Sequence, residues 1–470
     1  MTVKSFIDRL YKPEHLIKSP PANDGSYNAK EVYTTLLKFS WPAALESLLV
    51  GFISFADTIM VGKVSSDAIA AVGVTNQPRF LFFAIFFALN VGVTAIVSRR
   101  KGEGDKDRAN QCMGQSFTIA IILGIVLCAV ALAFSRPLIS FAGANSDIID
   151  DAVIYFEITM LGLVFTSLML VLNAAQRGAG DTRIAMITNI TANVVNIVLN
   201  YLLINGVWFF PRLEVKGAAI ATLVGNITGF IIAFIASRRK YGFLRLTLKN
   251  CIKFDAENIK LIFGISSSAA VEQLFIRIGF FSYAVIVAKL GTDAFATHQI
   301  CMSIINLSFC VGDGLGIGAS SLVGQSLGRK RADLAAIYGK VSQRIGLLLS
   351  GGLILLFVFG GRFLMSLFTK DIDIIEMGIK LLYLVALSSP FQISNVIYTG
   401  CLRGAGDTRY VAVASFISIA IFRPIFTYLF CFTFSMGLIG AWVSLFVDQA
   451  MRYAFSLVRF NKGKWKEIKI

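Results

Sequence analysis

From residue 34 onward the chain is a succession of long apolar runs separated by short polar breaks. Runs able to cross about 30 Å of hydrocarbon, roughly 20 residues at ~1.5 Å rise each, fall at 34–61, 69–97, 112–134, 149–174, 184–205, 216–237, 259–289, 293–325, 339–360, 374–400, 410–432 and 436–457. The pattern predicts twelve transmembrane helices. Residues 1–33 are polar and broken by Pro13, Pro20 and Pro21, so no cleavable signal peptide is expected there. Within them, SFIDRLYKPEHLI is read as a mobile tail, with a short amphipathic surface helix as the alternative.

The polar breaks contain a repeat. RGAGDTR stands at 177–183 and again at 403–409, a shift of 403 − 177 = 226 residues. The same shift lays 44–70 on 270–296 without a gap, so that Glu46 meets Glu272, Lys63 meets Lys289 and Asp67 meets Asp293. Each half then holds six spans, and an even number returns the chain to its starting side, which makes the halves parallel repeats about an axis along the membrane normal. The expected fold is an all-α integral membrane protein, two six-helix bundles around a central cavity. Its expected organisation is a cytoplasmic segment 1–33, a first bundle 34–240, a basic linker 241–258, a second bundle 259–458 and a basic tail 459–470. In each RGAGDTR the glycines (Gly178 and Gly180, Gly404 and Gly406) permit a tight turn, and Asp181 or Asp407 is placed to cap the next helix.

Composition agrees with the bilayer: 56% of residues are hydrophobic, 15% are charged and 40 are Phe. The net charge of +16 sits in alternate loops, around Arg99–Arg108, Arg238–Lys253 and Arg329–Arg331, and in the tail. It is a positive-inside signal that puts both termini in the cytoplasm, not a nucleic-acid footprint. The seven cysteines lack C-x-x-C spacing and read as packing residues. No G-x-x-x-x-G-K-[ST] occurs, so ATP is not expected to drive this chain. Diphosphate chemistry is disfavoured too, since paired aspartates occur only at 150–151. The chain is read as a non-enzyme.

A carboxylate at mid-membrane costs about 2.5–3.5 kcal/mol on insertion scales, so each one calls for a cavity, a partner or a proton. Asp57 follows Glu46 by eleven residues, which returns to nearly the same helix face; both are expected to look into a cavity of the first half. Asn189, Asn193, Asn196 and Asn200 form an amide stripe on span 5, either helix glue or cation ligands. In the second half Glu272, beside Gln273 and near Arg277, is a candidate for a substrate or second cation site, with a structural ion pair as the alternative. Asp448 precedes Arg452 by four residues and reads as an ion pair; Asp313 could line a cavity, and Arg423 is expected to pair with one of these acids. His298 reads as a packed polar residue.

These features, with ADTIMVG in span 1, ATHQI at 296–300, QRGAGDTR and LRGAGDTR after spans 4 and 10, and the FNKGKW tail, resemble the multidrug and toxic compound extrusion (MATE) family over nearly the whole chain. The resemblance implies a monomeric exporter in the plasma (cytoplasmic or cell inner) membrane. It would expel amphipathic, often cationic, small organic molecules in exchange for H⁺ or Na⁺, surrounded by lipid, with no nucleic-acid partner and no cofactor beyond the coupling ion. It makes Asp57 the coupling acid, with a possible Na⁺ there, and Pro42 the point at which the first helix of some members bends. Related members pair that acid with an Asn-x-x-x-Asp; here the equivalent is Asn196 and Asn200. Members with an acid in span 10 have it where this chain has Gln392, followed by Asn395. A flippase for lipid-linked precursors is the alternative within the broader superfamily.

Overall fold

The computed structural model describes residues 28–62, 66–207, 210–239, 242–253, 255–468 and 470, without the side chains of 52–59, 61, 62, 66, 67, 69 and 292. The expectations for SFIDRLYKPEHLI and for the Asp57 side chain therefore lie outside the described residues. Among the described residues there is no strand, and twelve long helices follow one another. They are α1 (Ala29–Gly62), α2 (Ser66–Glu103), α3 (Lys106–Ala133), α4 (Ile149–Ala179), α5 (Thr182–Asn205), α6 (Glu214–Ser237), α7 (Ala256–Ala288), α8 (Thr292–Gly328), α9 (Ala332–Phe359), α10 (Ile372–Gly404), α11 (Thr408–Thr433) and α12 (Gly437–Lys462). Among the described residues, ten are long and apolar enough to cross a membrane. Several overrun the apolar signal: α2 continues past residue 97 through Arg99, Arg100 and Lys101, because the backbone ladder extends into the polar phase after the side chains cease to be oily.

Two compact units divide the chain, 48–270 and 1–47 with 271–470. Residues 34–47 of the expected first bundle thus group with the second half, and 259–270 of the expected second bundle with the first.

In the unit of residues 48–270, small residues let helices approach closely, the usual device where oil offers no hydrophobic drive. A Cβ on Gly178 of α4 would lie 2.9 Å from the Thr94 carbonyl of α2, and one on Gly225 of α6 would lie 2.8 Å from the Ala192 carbonyl of α5. The stretch read as a linker is docked on α3. Gln115 Nε2 donates to the Lys253 carbonyl at 3.0 Å, Thr118 Oγ1 to that of Cys251 at 2.9 Å, and Asn110 Oδ1 accepts from the Arg245 amide at 2.6 Å.

In the other unit Gly404 of α10 rests on the Ser320 carbonyl of α8. The 226-residue shift carries Gly178 onto Gly404 and Thr94 onto Ser320, so the repeat preserves a packing contact as well as a word. Val32 and Leu36 pack with Leu322, Ile337 and Val341, while Ser40 and Ala44 lie against Gly318 and Gly314. Pro42 sits buried inside α1. Helix α11 is not uniform: Phe416–Phe422 and Leu429–Thr433 are π-helical on either side of Arg423–Tyr428. The apolar pattern predicts one plain span there, because π widening adds no change of hydrophobicity.

Candidate functional site

The unit of residues 48–270 holds a cavity of about 380 Å³. Helices α5 and α6 give it a polar wall. Asn200 Nδ2 donates to Asn196 Oδ1 at 3.3 Å, Asn196 Nδ2 to Thr222 Oγ1 at 3.2 Å, and Thr222 Oγ1 to the Ala218 carbonyl at 3.0 Å. Asn196 and Asn200 are buried, so the row is ordered by its own bonds, each member passing a hydrogen to the next. Asn193 Nδ2 turns back to the Asn189 carbonyl at 2.8 Å, and both residues line the space. The cavity is also lined by Arg79 of α2 and Tyr155 of α4: Arg79 Nη1 donates to the Tyr155 hydroxyl at 3.3 Å. Val50 of α1, Phe80, Phe83 and Met169 supply apolar surface. Glu46, expected to look into a first-half cavity, is buried and belongs to the unit of residues 1–47 and 271–470.

That second unit holds a smaller cavity, about 170 Å³, which brings together Glu272, Asp313 and Asn395 with Arg403, Ser415 and Arg452. Glu272 Oε1 accepts from Arg403 Nη2 at 2.5 Å and from Ser415 Oγ at 3.4 Å. Its partner is therefore the first arginine of the second RGAGDTR, not Arg277 five residues on. Gln273 is half-buried, Gln392 is fully buried, and neither lines this cavity. Both amide atoms of Gln392 lack a hydrogen-bond partner among the described residues. Asn395 Oδ1 accepts from Ser456 Oγ at 3.2 Å. Behind the cavity wall Asp448 bonds Arg423 and, at 3.2 Å, Arg452. Arg423 also lies over the Phe280 ring, 4.5 Å from its centroid. His298 is buried among Tyr283, Phe295 and Trp442.

In the two turns the second glycine of each word takes the left-handed conformation, φ 95° at Gly180 and 86° at Gly406. The first glycine of each serves helix approach instead. Asp181 and Asp407 occupy the N-cap position, but neither side chain makes the expected capping bond. Asp407 is engaged by Arg459 of α12, at 2.6 and 3.2 Å, and a fork of two charge-assisted bonds outcompetes one amide.

Arg79, Tyr155, Thr222 and Ser415 were not legible as site residues from hydrophobic patterning. Arg79 did carry a signal, being the only charged residue inside the predicted span 69–97. The rest become visible only when helices far apart in sequence meet.

The MatE family model matches residues 42–202 and 268–429, and its two starts are separated by the same interval, 268 − 42 = 226. The chain is 29% identical over 441 residues to a protein of Thermotoga maritima described as "Probable multidrug resistance protein NorM", covering 93% of this chain and 94% of that one. It is 28% identical to the "Uncharacterized transporter YisQ" of Bacillus subtilis, over 92% of this chain and 94% of that one. Among solved structures, the "Outward-facing conformation of a multidrug resistance MATE family transporter of the MOP superfamily" superposes with a TM-score of 0.85 at 20% identity, covering 92% of this chain and 97% of that one.

Proposed function

The chain belongs to the multidrug and toxic compound extrusion (MatE) family, and from that membership we propose that it exports amphipathic, often cationic, drug-like compounds in exchange for inward-moving H⁺ or Na⁺. The family and its many apolar helices make it a multi-pass membrane protein. The observation that carries the reading is a hydrogen-bonded amide row facing a cavity inside an otherwise oily bundle. Buried amides in a membrane protein that also face open space are placed for a ligand as well as for packing.

In this reading Asp57 of α1 is the coupling acid, and Asn196, Asn200 and Thr222 supply the neutral oxygens a Na⁺ would need; a proton would need the carboxyl alone. Loading Asp57 neutralises it and favours one arrangement of the helices over the other, by as much as the cation's affinity differs between the two states. Substrate then leaves outward. The membrane potential contributes about 2.3 kcal/mol per charge per 100 mV. Glu272 is the second candidate site, but a cation there must displace Arg403, which ranks it after Asp57. Both termini are assigned to the cytoplasm, the protein to the plasma membrane, and the working unit to a monomer.

Purified protein in vesicles, given a Na⁺ gradient or a pH gradient separately, tests this. One inward gradient should drive counter-movement of a fluorescent amphipathic dye, and Asp57→Asn should abolish that coupling. Dye movement indifferent to both gradients, or unchanged in Asp57→Asn, would overturn it.

A further inference from the structure

Among the described residues lining the cavity of residues 48–270, Arg79 is the only charged one, and none is a carboxylate. Its guanidinium lies across Tyr155, 5.6 Å from the ring centroid, with Nη1 bonded to the hydroxyl. That bond uses the oxygen of Tyr155 as acceptor and leaves its O–H free to donate. Arg79 Nε is buried with no hydrogen-bond partner among the described residues, and no described acid forms an ion pair with the side chain. Among the described residues nothing supplies this guanidinium with a counter-charge, and a charge so placed inside a bundle has donors to give. In the same cavity Asn76, Asn193 and Asn226 add amide N–H groups, while Phe80, Phe83 and Met169 offer apolar surface. The volume is at the lower end of the range that takes a drug-sized molecule.

We propose that this cavity carries an anion subsite at Arg79, which receives the carboxylate or phosphate of an amphipathic organic anion while its ring or chain lies on Phe80, Phe83 and Met169. The inference names a substrate class for the exporter and so rests on the export reading. Equilibrium binding needs no ion gradient, however, so the two can fail separately. The headgroup could belong to a soluble compound or to a lipid, and Arg79 meets the same chemistry in both.

The test is binding of dansyl-phenylalanine to the purified full-length protein, beside its uncharged amide, with dihexanoylphosphatidic acid as the lipid arm. The wild type should bind the acid about tenfold or more tightly than the amide, as a charge-assisted fork predicts. Arg79→Gln should erase that difference with the amide unchanged; Arg79→Lys should keep part of it. Should Arg79→Gln fail to fold, Asn193→Asp puts a carboxylate on the cavity wall and should weaken binding of the acid alone. Arg79-dependent binding confined to the phosphatidate would assign the subsite to a lipid headgroup, and binding of dansyl-phenylalanine to a soluble anion. Equal affinities for acid and amide together with no Arg79-dependent phosphatidate binding would overturn the proposal. So would a preference that survives Arg79→Gln, or one that emerges only in Asp57→Asn, which would identify an internal counter-ion.

Discussion

Asp448 has no exposed surface and stands between Arg423, equally buried, and Arg452. Taking those charges out of water is costly, and the pairing offsets the cost only while it is complete. Asp448→Asn leaves two guanidinium groups inside the bundle without the carboxylate they share. Its expected penalty is about 3–5 kcal/mol, the range for breaking a buried pair, seen as a marked fall in the thermal unfolding midpoint of the purified protein. The exposed pair Arg136–Asp150 has a similar separation, 2.9 Å, but both side chains are more than half in solvent. Asp150→Asn should move the midpoint little, since exposed pairs contribute ~0–1 kcal/mol. Glu272 resembles Asp448 more than Asp150, being buried and tied to Arg403, so its charge is held in place by a partner in this conformation.

At the level of elements, the duplicated heptapeptide does two jobs with its two glycines. Gly178 and Gly404 are contact glycines, since a methyl group on either collides with a backbone carbonyl of the facing helix, at Thr94 or Ser320. Backbone cannot swing aside as a flexible side chain can. Gly180 is a conformational glycine, where an alanine would pay about 1–2 kcal/mol for the left-handed region. Thermal unfolding should therefore rank Gly178→Ala and Gly404→Ala as more damaging than Gly180→Ala; the reverse order would show that the helices separate at little cost. Helix α11 has a different device. Its two π stretches flank Arg423, and Ser415, which donates to Glu272, immediately precedes the first of them. A widened turn re-aims side chains without ending the helix, which brings residues from one span to two separate buried acids.

For the molecule as a whole, the basic residues crowd alternate loops, and the orientation proposed from that bias has a direct test. Six of the seven native thiols are buried and Cys251 is half-buried, so introduced cysteines can report sidedness once Cys251 is replaced by Ser. Ser146 and Lys106 are both exposed, in the breaks before α4 and at the start of α3. A membrane-impermeant maleimide should label Ser146→Cys in intact cells and Lys106→Cys only after permeabilisation. Labelling of Lys106→Cys from outside would reverse the assigned topology.

Patterning alone was enough for the succession of helices, because hydrocarbon thickness fixes a minimum run of apolar residues and every backbone group must be satisfied within its own helix. It was also enough for the repeat, since a shift of 226 residues is a property of the string, and for the pair Asp448–Arg452, whose spacing of four is local helix geometry. Only the tertiary structure decided that Glu272 answers to Arg403, 131 residues away, that Asp407 serves Arg459 instead of capping its helix, and that Arg79 and Tyr155 line one cavity with the span 5 amides. Apolar period is set by the solvent and is blind to partners, whereas a charge in a low dielectric is settled by whichever opposite group the packed helices bring within a few ångströms.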